Sequence, residues 1–311
     1  MDVQRLRTLR ELAIRGTMAA VAEVIKISPS AVSQQISLLE DEVGLPLIER
    51  RGRGVTITPA GEVLINHAGR ILNILEEAKT DIAELKMTVA GELVLAAFPS
   101  IAASLLPGSL RGLQLRYPDL NVSGVEMEPL VGLASLRSWQ VDLAIVDDLT
   151  LKQDKNPETL ETFPIYEDRI VTIFHKDHPL ATREDLDLLD LQHEFWAIDT
   201  RPNTFSDTLF AMCADRGFSP KVIGRFDGFE VISAMVASQC AISLLPRIRT
   251  NLHSDHLISR ELDPPIERTI ILAIRKGESR RPTLKILIDS LRDHAKDIRS
   301  TAMPEYSAIK R

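Results

Sequence analysis

Apolar residues recur at helical spacing from the start of the chain. Thr17-Met-Ala-Ala-Val-Ala-Glu-Val-Ile25 reads as a compact helix whose alanines permit close approach of a neighbour. After the short link Lys26-Ile27-Ser28, Val32, Ile36, Leu39 and Val43 repeat three and four residues apart. Ser28 supplies an N-cap, and Pro29 suits the first helical position, where its missing donor costs nothing. The pattern predicts a helix-turn-helix with the apolar positions inward and Ser30, Ser33, Gln34 and Ser37 outward.

Two four-residue runs follow, Leu47-Ile48-Glu49-Arg50 and Val55-Thr56-Ile57-Thr58, joined through Arg51-Gly52-Arg53-Gly54. They predict two strands and a tight turn, a wing beside the second helix. Thr58-Pro59-Ala60-Gly61 then opens another helix. Leu64, Ala68, Ile71, Leu75, Ala78, Ile82 and Leu85 alternate spacings of four and three. Three heptads span roughly 30 Å, a length that suits a dimerisation coiled coil better than an amphipathic helix folded on its own domain. From Gly91 onward, apolar runs alternate with helical patterns. The strand candidates are Leu93–Phe98, Val122–Glu126, Val141–Val146, Arg169–Phe174, Phe195–Ile198, Val222–Phe226, Ala241–Leu245 and Thr269–Ile274. That alternation predicts α/β layers.

The chemistry of the first sixty residues points to DNA. In a helix-turn-helix the second helix enters the major groove, where hydroxyls and amides meet base edges. Thr17, Met18, Ser28, Pro29, Ser30, Ala31, Ser33, Gln34, Gln35 and Ser37 form the expected contact set of the two helices, with Ser30, Ser33 and Gln34 as the expected readers. Arg50, Arg51 and Arg53 at the wing suit phosphates. This segment carries eight Lys or Arg against seven Asp or Glu, in a chain of net charge −7. Focused contacts are therefore expected rather than a general attraction to nucleic acid.

The order of helix, polar-faced helix, Arg-tipped wing and long helix resembles the LysR-type transcriptional regulators. The resemblance is carried by Ala19-Ala20 with Ala22-Glu23, Ser28 through Gln35, Leu38-Leu39-Glu40, Gly44-Leu45-Pro46-Leu47-Ile48-Glu49-Arg50 and Thr58-Pro59-Ala60-Gly61. Pro29-Ser30 and Gln34 depart from the family's usual recognition-helix residues, which implies a different base preference. Ile48 replaces the usual Phe, one apolar residue for another.

The resemblance implies a winged helix-turn-helix over residues 1–59, a linker helix over 60–89 and an effector domain over 90–300. That domain has the two α/β subdomains of type II periplasmic binding proteins, one at about 90–163 and 267–300, the other at about 164–266. The chain crosses between them twice, expected at Glu161–Asp168 and Leu262–Ile266, where prolines interrupt extended stretches. A dimer or tetramer on an imperfect palindrome of double-stranded DNA, modulated by a small effector and recruiting RNA polymerase, completes the expectation. In the cleft, the resemblance and the strand ends together single out Pro99, Ser100, Asp147, Asp148, Arg201, Asn203, Thr204 and Asp227. Ser100 and Arg201 suit a carboxylate, and paired acids at Asp147 and Asp148 suit an amine.

Other classes fit less well. There is no phosphate loop, dinucleotide fingerprint, zinc motif or nucleophile elbow, so neither an enzyme nor a cofactor is expected. His175-Lys-Asp-His178 and His253-Ser-Asp-His256 are read as loop histidines rather than metal pairs. No signal peptide or membrane-length apolar run appears, and a cytoplasmic protein is expected. Cys213 and Cys240 form no disulfide framework. They are read as buried thiols, with an oxidant- or metal-sensing regulator of the same fold as the alternative.

Overall fold

The computed structural model describes residues 1–25, 27–51, 54–85, 89–199, 204–249 and 256–302. Three helices open the chain: α1 (Val3–Arg15), α2 (Met18–Ile25) and α3 (Pro29–Val43). Ser28 caps α3, its Oγ accepting the Ala31 N–H at 3.2 Å, and Gly44 ends the helix in the left-handed conformation at φ 75°. Leu9, Leu12, Val21, Val32, Ile36 and Leu39 close the core of this module. The wing is β1 (Ile48–Arg51) paired with β2 (Gly54–Ile57), Ile48 opposite Ile57 and Arg51 opposite Gly54. The strands lie one residue off the sequence expectation: Leu47 and Thr58 are drawn out of the ladder to serve the core and the next helix.

That helix is α4 (Pro59–Leu85). Thr58 Oγ1 accepts the Gly61 N–H at 3.1 Å and donates to Pro46 O at 2.7 Å. A Cβ on Gly61 would lie 2.2 Å from Leu47 O, so only glycine lets the helix begin against the wing. The heptad seam divides. Ala68 is buried in the module's own core and Leu64 packs partly against it, whereas Ile71, Leu75 and Ile82 are exposed.

The remainder runs β3 (Gly91–Ala97), α5 (Pro99–Arg116), β4 (Leu120–Glu126), α6 (Pro129–Arg137), β5 (Leu143–Asp147), α7 (Asp148–Gln153) and β6 (Leu160–His175), then β7 (Phe195–Asp199), α8 (Thr204–Asp215), β8 (Lys221–Phe226), α9 (Phe229–Ala237), β9 (Ser243–Pro246), β10 (Leu257–Arg275) and α10 (Pro282–Ala302). One sheet has the order β4-β3-β5-β10-β6-β9, and β7 pairs in parallel with β8. The Trp196–Ile242 bridge joins that pair to the edge next to β9. Leu95, Leu143, Leu272 and Leu287 lie in the core of the first lobe, and Phe174, Trp196, Leu209 and Leu244 in that of the second.

Both stretches expected as crossings lie inside long strands. β6 and β10 pair antiparallel from Leu160–Arg275 to His175–Leu257, through both lobes, with register shifts at Glu261/Ile266 and Ile270/Ile271. Pro264 is accommodated at the first of these, after a cis peptide bond.

Candidate functional site

Two surfaces carry the chemistry. On the first, Pro29, Ser30, Gln34 and Ser37 of α3 are exposed, while Ala31 and Ser33 are half-buried. The Ser28 and Ser30 hydroxyls lie 2.8 Å apart at the start of the helix. The helix is held on both sides. Glu40 Oε1 accepts the Leu47 and Ile48 N–H groups at 2.8 and 3.2 Å, and Val55 N donates to Gly16 O at 3.0 Å, tying the wing to the turn before α2.

Three residues of the expected contact set also carry structural contacts. Gln35 turns inward, its Oε1 accepting from the Thr8 hydroxyl of α1. Thr17 Oγ1 accepts the Ala20 N–H at 3.2 Å and caps α2. Met18 packs against the module's core. Arg50 and Arg51 lie at the end of β1. Arg53 lies outside the described residues, as do Arg201 and Asn203 in the effector domain.

The second surface is a cavity of about 70 Å³ between the lobes. Pro99, Ser100, Asp147 and Thr204 line it, with Phe98, Glu128, Asp199, Phe205 and Arg268. Its size admits a few water molecules and is far below the roughly 300 Å³ of a typical metabolite pocket.

Arg268 organises the cavity. It stands opposite Asp168 in the β6–β10 ladder and donates to Asp168 Oδ2 from Nε at 3.1 Å and Nη2 at 2.8 Å. Nη2 also donates to Ser100 Oγ at 3.2 Å, and Nη1 lies 3.7 Å from Asp147 Oδ2. The guanidinium sits over Phe98 of the first lobe and Phe205 of the second, 5.1 and 5.9 Å from the ring centres. Asp168 Oδ1 accepts the Ile248 N–H at 3.2 Å. One buried cation thus joins both lobes, at a desolvation cost that the three polar partners offset.

Asp147 and Asp148 do not form the expected pair. Asp147 faces the cavity but caps α7, its Oδ1 accepting from Thr150 N and Oγ1 at 2.9 and 2.7 Å. Asp148 points away, accepting the Thr269 N–H at 2.8 Å and meeting Lys152 at 2.7 Å. Burial works to raise its carboxyl pKa, but the Lys152 and Thr269 hydrogen bonds outweigh that and hold it below the ordinary carboxylate value. Asp147 ends β5 as the cap of α7 whereas Asp148 is the first residue of that helix, so the two carboxylates leave the backbone in different directions. Asp227 is exposed and is not among the described residues lining the cavity. Asp168 and Arg268 escaped the sequence reading, although Arg268 keeps alternating register with the inward-facing Ile270, Leu272 and Ile274.

Residues 3–62 match the model of the bacterial regulatory helix-turn-helix proteins of the lysR family, and residues 87–296 that of the LysR substrate binding domain. The chain belongs to the LysR family of transcriptional regulators. Its relatives include a hydrogen peroxide-inducible genes activator of Pectobacterium carotovorum, 28% identical over 303 residues, covering 94% of this chain and 97% of that one. Among solved structures, full-length OxyR from Pseudomonas aeruginosa aligns with a TM-score of 0.70 at 24% identity, covering 94% of this chain and 98% of that one. CbnR complexed with its target DNA aligns at 0.61 and 20% identity, covering 94% and 100%. LysR regulators bind DNA and small effectors and act as oligomers. Among the described residues, no helix is long and apolar enough to cross a membrane.

Proposed function

We propose that this LysR regulator acts in the cytoplasm as a homodimer, assembling further into a tetramer, and reads an imperfect palindrome with Ser30, Ser33, Gln34 and Ser37. The observation that carries this reading is the outward polar face of α3, capped by Ser28 and clamped to the wing by Glu40. The exposed run Ile71, Leu75 and Ile82 on α4 supplies an apolar seam for a second copy. The protein acts by binding rather than catalysis, and its DNA geometry is what recruits RNA polymerase. The test is selection from a random duplex pool by the full-length protein. Paired inverted half-sites are expected, and an unpaired or sequence-independent output would overturn the reading.

The effector enters between the lobes and competes with the Arg268 contacts that close them, so binding is coupled to lobe separation. Ser100, Asp147, Thr204 and Arg268 are the groups it would meet. With Asp148 engaged elsewhere, Asp147 and Asp199 replace the Asp147–Asp148 pair as partners for an amine-bearing effector. A thermal-shift screen against amino acids, organic acids and amines tests this. Stabilisation by amines that is lost in Asp147→Asn supports it, and stabilisation by anions alone removes it.

Likeness to a peroxide-inducible activator over 94% of the chain favours a second reading, response to oxidant. The thiols speak against a cysteine-based route. Cys213 is buried in the second lobe's core, where burial pushes its pKa up to about 11. Cys240 is exposed in the turn after α9, with Sγ 3.6 Å from Ser238 O. DNA binding that changes with peroxide in the wild type but not in the Cys213→Ser, Cys240→Ser double variant would restore that route.

A further inference from the structure

The linker helix meets the effector domain at one unusual place. A Cβ built on Gly69 of α4 would lie 1.9 Å from Trp139 Cβ and 2.6 Å from Trp139 Cγ. The tryptophan rests directly on helix backbone, a closeness only glycine permits. Trp139 is itself strained, since it follows α6 at φ 62°, a left-handed conformation unfavourable for a bulky side chain.

The same turn recurs in the second lobe. Ser138-Trp139-Gln140 follows α6, Ser238-Gln239-Cys240 follows α9, and the middle residue has φ 62° in one and 59° in the other. Glycine would satisfy either backbone, yet both positions carry a side chain that makes a tertiary contact. Gln239 Nε2 reaches His175 Nδ1 at 3.1 Å, and Trp139 covers Gly69.

The indole is backed by a rigid support. The Arg275 guanidinium lies 4.0 Å from its ring centre, and Arg275 Nη1 donates to Leu136 O and Val141 O, at 2.7 and 2.6 Å, on either side of the turn. Arg275 is buried beside Asp142 and Glu278. A salt bridge between DNA-binding module and effector domain, Arg7 to Glu92 at 2.9 Å, is exposed and contributes little.

We propose that Trp139, remote from the recognition helix, determines which half-site spacing the dimer accepts, by fixing the angle at which α4 leaves the effector domain. The inference rests on the reading of the protein as a dimer that binds paired half-sites. The two recognition helices stand apart by a distance their supports impose, so a loosely held α4 tolerates several spacings and a clamped one selects few. Trp139 is a positioning residue: it alters which spacing is chosen and leaves the half-site sequence alone.

The test is duplex selection from a random pool by full-length wild type, Trp139→Gly, Trp139→Phe and Gly69→Ala. Glycine suits the left-handed turn, so Trp139→Gly removes the ring and keeps the backbone, and Gly69→Ala breaks the contact from the helix side should Trp139→Gly fail to fold. Wild type is expected to enrich one spacing at least tenfold over its neighbours. Trp139→Gly and Gly69→Ala should enrich the same half-site over three or more spacings within threefold of one another, and Trp139→Phe, which keeps a ring over Arg275, should restore the single spacing. Half-sites with no pairing in wild type would overturn the dimer reading itself. Paired sites with equally sharp spacing in a folded variant would overturn the role of Trp139 alone.

Discussion

Glu40 on the recognition helix accepts two successive backbone N–H groups, at Leu47 and Ile48, so a single carboxylate fixes the wing to the helix it flanks. Glu40→Ala leaves both donors without that partner and should cost about 1–3 kcal/mol of stability. Glu40→Gln keeps an acceptor and should lose less. Urea unfolding gives the stability change, and the salt dependence of DNA affinity reports whether wing phosphate contacts weaken with it.

Gln34 and Gln35 are neighbours with opposite duties. Gln34→Ala should leave stability within about 0.5 kcal/mol of wild type and relax base preference at one position of the half-site by about 1–3 kcal/mol. Gln35→Ala removes one of two acceptors of the Thr8 hydroxyl, which keeps Gln4 O at 2.9 Å, and should cost about 0.5–1 kcal/mol of stability, with half-site preference kept. Thermal unfolding and duplex selection together separate the two. An unchanged preference in the Gln34 variant would remove it from the reading face.

Arg268→Met strands Asp168 in a buried site and should destabilise the effector domain by about 3–5 kcal/mol. Adding Asp168→Asn to that variant should recover a large part of the loss, because the carboxylate hydrogen-bonded to Arg268 is then gone and Asp147, which also loses the nearby cation, keeps its Thr150 hydrogen bonds. A double-mutant cycle by urea unfolding checks this. The single variant should also open the lobes, visible as a larger radius of gyration in solution scattering.

Cys213 makes a pH prediction whose sign follows from its raised pKa. The folded state keeps this thiol protonated up to about 11, whereas the unfolded chain ionises it near the ordinary value of about 8.5. The contribution to stability is therefore full below about pH 8.5 and is lost as pH rises toward 11. Cys213→Ala should flatten that part of the stability profile. At pH 8, iodoacetamide should label Cys240 rapidly and Cys213 only on unfolding, as peptide mass spectrometry would record.

The parts legible in the sequence were those determined locally. Ser28-Pro29, the apolar repeat of α3 and Thr58-Pro59-Ala60-Gly61 each act within a turn or two of the chain, and each lies where the pattern puts it. The wing slipped by one residue because Leu47 answers to the core and to Glu40 rather than to strand propensity. The seam on α4 divided because the first turns pack on the chain's own module, which heptad spacing cannot reveal. At the cavity, Ser100 and Asp147 stood out as strand-end polar residues. Asp148 was misread because direction, not sequence adjacency, decides what a side chain meets. Arg268 with Asp168, and Trp139 with Gly69, join residues 100 and 70 positions apart, and no local signal announces such partners.

The long pairing of β6 with β10 sets what the two lobes can do relative to each other. Two loose linkers would let them slide, rotate and part independently. A two-stranded ribbon is stiff in its own plane and yields across its face, most readily where the register shifts at Glu261/Ile266 and Ile270/Ile271 interrupt the ladder. It behaves as a leaf spring. Such a spine favours opening like the covers of a book over shear, so a ligand entering from the open side would act through one angular displacement.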